Sequence, residues 1–422
     1  MRRHSAVRCP RYGSTVTRSL SPPSALHVQP TSLELFTGAG GLALAMRNTG
    51  FRHLLAVEID ARACATLRLN VASPLTDRED TEESRWPLHE GDIKGLDFTG
   101  WTRRADVVAG GVPCQPWSLG GAHNGQTDPR NLWPELFRCV REAQPLAVIA
   151  ENVRGLLRPS FKPYYDYILR ELAAPFERRV DGEDWRDHDR RLAKALADPR
   201  ADPGRRYDVK YLLVNAADYG VPQIRRRVFV VAFRRDLGLS DWRFPEPTHS
   251  EAALLRDKAS GRYWRSHKIP ARPGPRLNDL PPADGTRPWR TVRDALADLP
   301  DPLEPLEAKL EHPGWVHHVG WPGARAYLGH TPNELDRPAK TVKAGVHGVP
   351  GGETVLRRDD GSIRYMTVRE VARIMTFPDQ WRLAGSRSEQ MRQLGNAVPV
   401  LLGEVIAGAV ARALRPVSGA TR

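Results

Sequence analysis

The stretch TSLELFTGAGGLALAMRNTG, residues 31–50, sets three structural signals end to end. Residues 31–36 read as a buried strand, 38–41 as a tight glycine turn, and 42–48 as a helix that Gly50 ends. Glycines at a strand-to-helix turn let the backbone approach a ligand closely. The spacing is GxGG rather than the GxGxxG of the dinucleotide fingerprint, which counts against a nicotinamide-dependent oxidoreductase.

Working outward, residues 54–59 form a second strand ending on Glu58, and 61–71 a helix. An acid about twenty residues beyond such a turn can bind both hydroxyls of a ribose. Asp92, in Gly91-Asp92-Ile93, is placed to accept from an adenine amino group. Short β runs follow at 105–109 and 146–150, separated by a helix over about 132–142. Strands alternating with helices at this spacing predict an α/β fold whose parallel sheet is covered on both faces. Residues 175–206 read as a charged surface insertion. Residues 211–215 and 227–233 flank Gly220-Val221-Pro222 and predict an antiparallel pair at the sheet edge.

After residue 234 the chain becomes rich in Pro and Gly until about 364, which reads as a smaller, loop-rich domain. Helix returns over 367–376 and 398–414. The domain reading is therefore 1–30 a disordered basic leader, 31–234 a catalytic and ligand domain, 235–363 a second domain, 364–415 a return to the first, and 416–422 a tail. The leader's arginines and missing acids mimic an organellar transit peptide, but a basic arm or a stretch upstream of the true start is the preferred reading.

Composition narrows the function. The chain has 422 residues, 40% hydrophobic and 27% charged, enough for two or three domains with a real core. No run approaches the ~20 apolar residues of a membrane span. The four cysteines, none in a CxxC pair, exclude a disulfide scaffold and a cysteine-based zinc module, and no metal is expected. A net charge of +13 favours a polyanionic partner.

The chemistry concentrates in two further segments. Gly110-Gly111-Val112-Pro113-Cys114-Gln115 follows a strand directly, and Glu151-Asn152-Val153 ends the next one. Taken singly, Cys114 is a small buried hydrophobe and Glu151 an acid paired with an arginine. On neighbouring strand tips they make a thiolate nucleophile beside a carboxyl that holds or donates a proton.

With residues 36–41, Pro113-Cys114-Gln115, Glu151-Asn152-Val153, Gln223-Ile224-Arg225-Arg226-Arg227 and Gly395-Asn396-Ala397-Val398 in this order, the chain resembles the DNA cytosine-5 methyltransferase family. Residues 367–370 and 377–379 resemble the block before the last motif, and the match runs from 31 to about 414. Trp117 departs from the Phe most common there. The resemblance implies a Rossmann-like S-adenosylmethionine-dependent domain with a loop-rich target-recognition domain at 235–363. It implies that Cys114 attacks carbon 6 of a flipped-out cytosine in a specific duplex DNA sequence, that Glu151 hydrogen-bonds the ring, and that Arg227 contacts the target nucleotide. Gln223 and Arg225 are grouped with Arg227 on the DNA side, Arg225 as a supporting position and Gln223 ordering the loop. Phe36, Gly38, Gly40, Gly41, Glu58, Ile59, Asp92, Ile93, Leu132 and Asn396 match the methyl-donor pocket. A restriction-modification or solitary methylase follows, monomeric, cytoplasmic and nucleoid-associated, with any cognate endonuclease acting separately. The alternatives are an RNA cytosine methylase on the same fold, disfavoured by the sizeable variable region, and a silent DNA-binding homologue, disfavoured by the intact Cys114 and Glu151.

Overall fold

The computed structural model describes residues 29–74, 85–113, 131–325, 331–344 and 354–415. Eight strands form one sheet: β1 (Thr31–Leu35), β2 (Arg52–Glu58), β3 (Ala72–Pro74), β4 (Trp86–Glu90), β5 (Val107–Gly111), β6 (Ala147–Val153), β7 (Tyr207–Asn215) and β8 (Arg226–Arg234). Their order across the sheet is β3-β4-β2-β1-β5-β6-β8-β7. The first six in that order run parallel; β8 is antiparallel to β6 and β7 antiparallel to β8. The chain leaves β1 towards β2 on one side and returns to β5 on the other, so the crevice at the carboxyl ends of β1 and β5 is the topological switch point where open α/β sheets bind ligands.

Burial on both faces explains the unbroken apolar runs. In β6 and β8, Val148, Ala150, Val228, Val230 and Ala232 enter one core, while Ala147, Ile149, Phe229, Val231 and Phe233 enter the other. The sheet is covered by α1 (Gly41–Asn48), α2 (Ala61–Asn70), α3 (Trp133–Ala143), α4 (Lys162–Ala173) and α5 (Trp185–Leu196), the last lying inside the charged insertion. Its Trp185, His188 and Leu192 recur at helical spacing and face inward.

The remaining elements are α6 (Glu251–Ala259), α7 (Arg262–Ser266), α8 (Val292–Leu296), α9 (Val368–Ile374), α10 (Arg387–Asn396) and α11 (Val400–Leu414). Two small sheets pair β9 (His249–Ser250) with β10 (Arg287–Pro288), and join β11 (Asn333–Glu334), β12 (Val355–Arg357) and β13 (Ile363–Tyr365). Helix α9 starts with a capping box in which Thr367 and Glu370 satisfy each other's backbone N–H. The stretch Arg387–Leu414 is long and apolar enough to match a membrane span by composition, yet 61% of its apolar window is buried in the fold. Helix α11 lies against α1, and a Cβ on Gly403 would stand 2.6 Å from the Ala45 Cβ.

Several boundaries differ from the sequence reading. Strand β6 continues past 150 through Val153, because Glu151, Asn152 and Val153 pair with Phe229, Val228 and Arg227 of β8. Strands β3 and β4 and helix α10 went unread, β3 and α10 for want of a clear apolar period. The region 235–363 has a small core of Leu254, Tyr263 and Trp264. Its Val292, Ala295, Ala339, Val342 and Leu356 nevertheless share one core with Ala39, Ala43 and Leu67 of the first domain.

Candidate active site at the carboxyl edge of the sheet

At the end of β1 the chain turns through positive φ at Phe36 (55°), Gly38 (57°) and Gly40 (89°). The Glu58 carboxylate at the tip of β2 fixes this turn: Oε2 accepts from the Gly38 N–H at 2.6 Å, and Oε1 from Ile59 and Asp60 at 2.9 and 2.8 Å. Burial raises the pKa of Glu58, and the three backbone donors oppose that shift. Beside it Ile59 is 68% exposed, an apolar surface at a strand tip. Among the described residues nothing lies within 4 Å of where a Cβ on Gly38 would stand, so the turn is open on that side to them. Asp92 caps a short turn by accepting from the Lys94 N–H at 3.0 Å. Leu132 precedes α3 and packs partly against the core, and Asn396 ends α10 exposed.

Two residues of the expected donor pocket also make internal contacts. A Cβ on Gly41 would collide with the Val398 carbonyl oxygen, so glycine there admits the backbone that leads into α11. The Ile93 side chain is buried in the sheet's core, and its carbonyl receives the Arg138 guanidinium at 2.7 Å. Trp381, which the sequence did not single out, faces Gly40 edge-on, 3.2 Å from its notional Cβ.

The catalytic end is built on β5, β6 and β8. Gly110 lets β5 approach β1, since a Cβ there would stand 2.6 Å from the Leu35 oxygen. Gly111 pairs with Glu151, and Asn152 donates from Nδ2 to the Val112 carbonyl at 3.1 Å. Asn152 therefore anchors the strand end that leads into Pro113. A buried amide next to a candidate acid is the signal that could have marked it. Cys114 itself, with the loop to 130, lies outside the described residues.

Glu151 Oε1 lies 2.9 Å from Arg227 Nε, the two side chains being only 9% and 13% exposed. Both readings of Glu151 meet here, for it is arginine-paired and also stands at the strand tip. Burial raises its carboxyl pKa against the pull of Arg227 and Arg225.

Gln223 and Arg225, grouped above on the DNA side, are buried rather than exposed for DNA, which leaves them the supporting and ordering roles and not direct contact. Arg225 is 1% exposed. Its guanidinium donates to the carbonyls of Val342 (2.7 Å), Gly395 (2.7 Å) and Ala397 (2.9 Å). Gln223 is fully buried, accepting from the Val342 N–H at 3.2 Å and donating to Met375 Sδ at 3.0 Å. Of the run 223–227, these two tie β8 to residues 342 and 395–397, and Arg227 alone joins Glu151.

The profile of C-5 cytosine-specific DNA methylases matches residues 31–174, 188–279 and 321–412. The chain belongs to the C-5 cytosine-specific DNA methylase family. The Type II methyltransferase M.NgoMIV of Neisseria gonorrhoeae is 30% identical over 395 residues, covering 92% of this chain and 99% of that protein. M.Eco47II of Escherichia coli is 30% identical over 400 residues, covering 91% and 79%. In fold, the crystal structure of the S. pombe Dnmt2 methyltransferase aligns with a TM-score of 0.53 at 16% identity, over 92% of this chain and 99% of that one. This methylase is thus a DNA (cytosine-5-)-methyltransferase of the restriction-modification type, and its family implies S-adenosylmethionine as methyl donor and DNA as substrate.

Proposed function

We propose that this methylase transfers a methyl group to carbon 5 of a cytosine flipped out of a specific duplex DNA sequence, through a covalent adduct with Cys114. The observation that carries the reading is the buried Glu151–Arg227 pair on the β6 and β8 tips, beside the β5 end that leads into Pro113. The residues around the Gly38 turn fit a nucleoside donor: an open turn, the exposed Ile59 and the amide-held Glu58 converge at the tips of β1 and β2. Phe36, Gly38, Gly40, Gly41, Glu58, Ile59, Asp92, Ile93, Leu132 and Asn396 would hold it. When bound, S-adenosylmethionine supplies an electrophilic methyl carbon on a sulfonium sulfur.

Carbon 5 of cytosine is a weak nucleophile. The Cys114 thiolate adds to carbon 6, which forms the S–C bond and pushes the ring's π electrons onto carbon 5. Glu151, whose carboxyl pKa burial raises, donates to the ring nitrogen when it carries its proton and so offsets the charge that develops there. Arg227 holds Glu151 in place and reaches the pyrimidine and its phosphate. Carbon 5, once alkylated, loses its proton, and the returning electron pair expels the thiolate. A carboxyl in the ring plane and a sulfur over its face cannot reach a stacked base, so the nucleotide must leave the duplex.

Residues 31–234 and 364–415 would form the catalytic body and 235–363 the target-recognition region, with 1–30 a basic leader and 416–422 a tail. The enzyme would act as a cytoplasmic monomer on nucleoid DNA, separately from any cognate endonuclease. Bisulfite sequencing of DNA from cells expressing the chain tests the reaction and reads out the recognised site. Purified Cys114→Ala protein should bind duplex yet transfer no methyl group; retained transfer would remove Cys114 from the nucleophile's role.

A further inference from the structure

We propose that Arg154 and Arg226 together grip one phosphodiester group of the bound DNA, beside the flipped nucleotide. This rests on the reading of duplex DNA as substrate. The last pair of the β6–β8 ladder is Val153 with Arg227; Arg154 follows it as the first residue of a short 3-10 turn, and Arg226 starts β8, so both stand at this end of the ladder. Both are exposed. Among the described residues neither guanidinium has a hydrogen-bond or ion-pair partner, whereas Arg225, Arg293, Arg364 and Arg369 are spent on internal carbonyls and acids.

Acids near this rim are already engaged. Among the described residues Glu151 is taken by Arg227. Asp218 senses Arg226 through space, but its Oδ1 accepts from Trp289 Nε1 at 2.9 Å and Asn215 Nδ2 at 3.2 Å. Like charges gathered at one end of a ladder repel, and an anion between them removes that cost. Guanidinium forks match phosphate oxygens geometrically, and two of them can share one group.

Strand alternation separates the duties of this rim. Residues 151, 153, 227 and 229 share one face of the sheet and Arg226 takes the other, while Arg154 begins the 3-10 turn that follows β6. The base-facing pair and the two free arginines are therefore adjacent in sequence but separate in duty.

The test is duplex affinity against salt concentration, for wild type, Arg154→Gln, Arg226→Gln and the double variant. Arg52→Gln, exposed at the opposite end of the sheet, serves as control. The probes are a duplex carrying the methylated sequence and one of random sequence. Because a phosphate contact carries no sequence information, both probes should weaken together, about tenfold in each single variant. The double variant should fall well short of hundredfold, with its log–log salt slope lower by about 0.9, one phosphate's worth. It should melt no lower than wild type. A double variant with affinity within twofold of wild type and an unchanged slope overturns the proposal, as does one that melts lower. Fully additive losses with a slope change near twice that value overturn the shared grip. Should wild type bind no duplex, the reading of the substrate fails instead, and that shows in the wild-type data alone.

Discussion

Replacing Arg225 with Met tests whether this buried cation is the clamp that holds β8's leading segment to the rest of the molecule. Methionine matches the arginine stem in length but donates nothing. Three carbonyls, those of Val342, Gly395 and Ala397, would lose their donor in a site that is 1% exposed. At about 1–3 kcal/mol for each stranded acceptor, the gross loss is roughly 3–9 kcal/mol. Against it stands the relief of a buried charge, a penalty of several kcal/mol, whose mark is a guanidinium pKa held by burial well below the ordinary arginine range. The net expectation is a loss of about 3–5 kcal/mol, a large part of the ~5–15 kcal/mol of typical domains. Urea unfolding followed by tryptophan fluorescence reads it as a lower midpoint at unchanged slope. Arg225→Lys, which keeps the charge but not the fork, should fall between. If Arg225→Met unfolds within about 0.5 kcal/mol of wild type, the clamp is refuted and Arg225 becomes available again for a role at the substrate.

Other expectations follow from the site. Glu151→Gln should lower methyl transfer by about 10²–10⁴-fold. Because burial raises the Glu151 pKa, the protonated donor persists above the usual carboxylic range and is lost as pH rises through the folded value; the variant's rate should lack that alkaline fall, and an identical pH profile would count against the assignment. Gly41→Ala should cost about 1–3 kcal/mol of stability through backbone overpacking against Val398, while Gly95→Ala, which meets nothing, should stay within about 0.5 kcal/mol; equal melting temperatures would contradict the close approach. Burial holds His249 and His317 at about 4 against an ordinary 6.5. Between those values the unfolded chain binds more protons, so their contribution is complete above about 6.5 and is lost as pH falls towards 4. His317→Gln, which keeps an acceptor for the Leu383 N–H, should flatten part of that acid slope in melting temperature, and an unaltered slope would refute it.

The strand, turn and helix of residues 31–50 were legible because residue type and spacing are local properties. An apolar run closed by glycines can do little else. The order of the short motifs was equally legible, and it carried the family and the placing of Glu151 near the end of its strand. The sequence could not say which neighbour fills the space around a residue, because that neighbour lies far along the chain. Nothing local in the sequence says that Gly41 must also admit the Val398 carbonyl. Gln223, Arg225 and Arg227 looked alike as a polar run, but only folding sends two of them inward to residues 342, 375 and 395–397 and leaves the third on Glu151. In the same way Glu58 became the holder of a turn when Gly38 reached it across adjoining strands. A charged side chain's role depends on whether its partner is water or a buried carbonyl, and tertiary packing alone makes that choice.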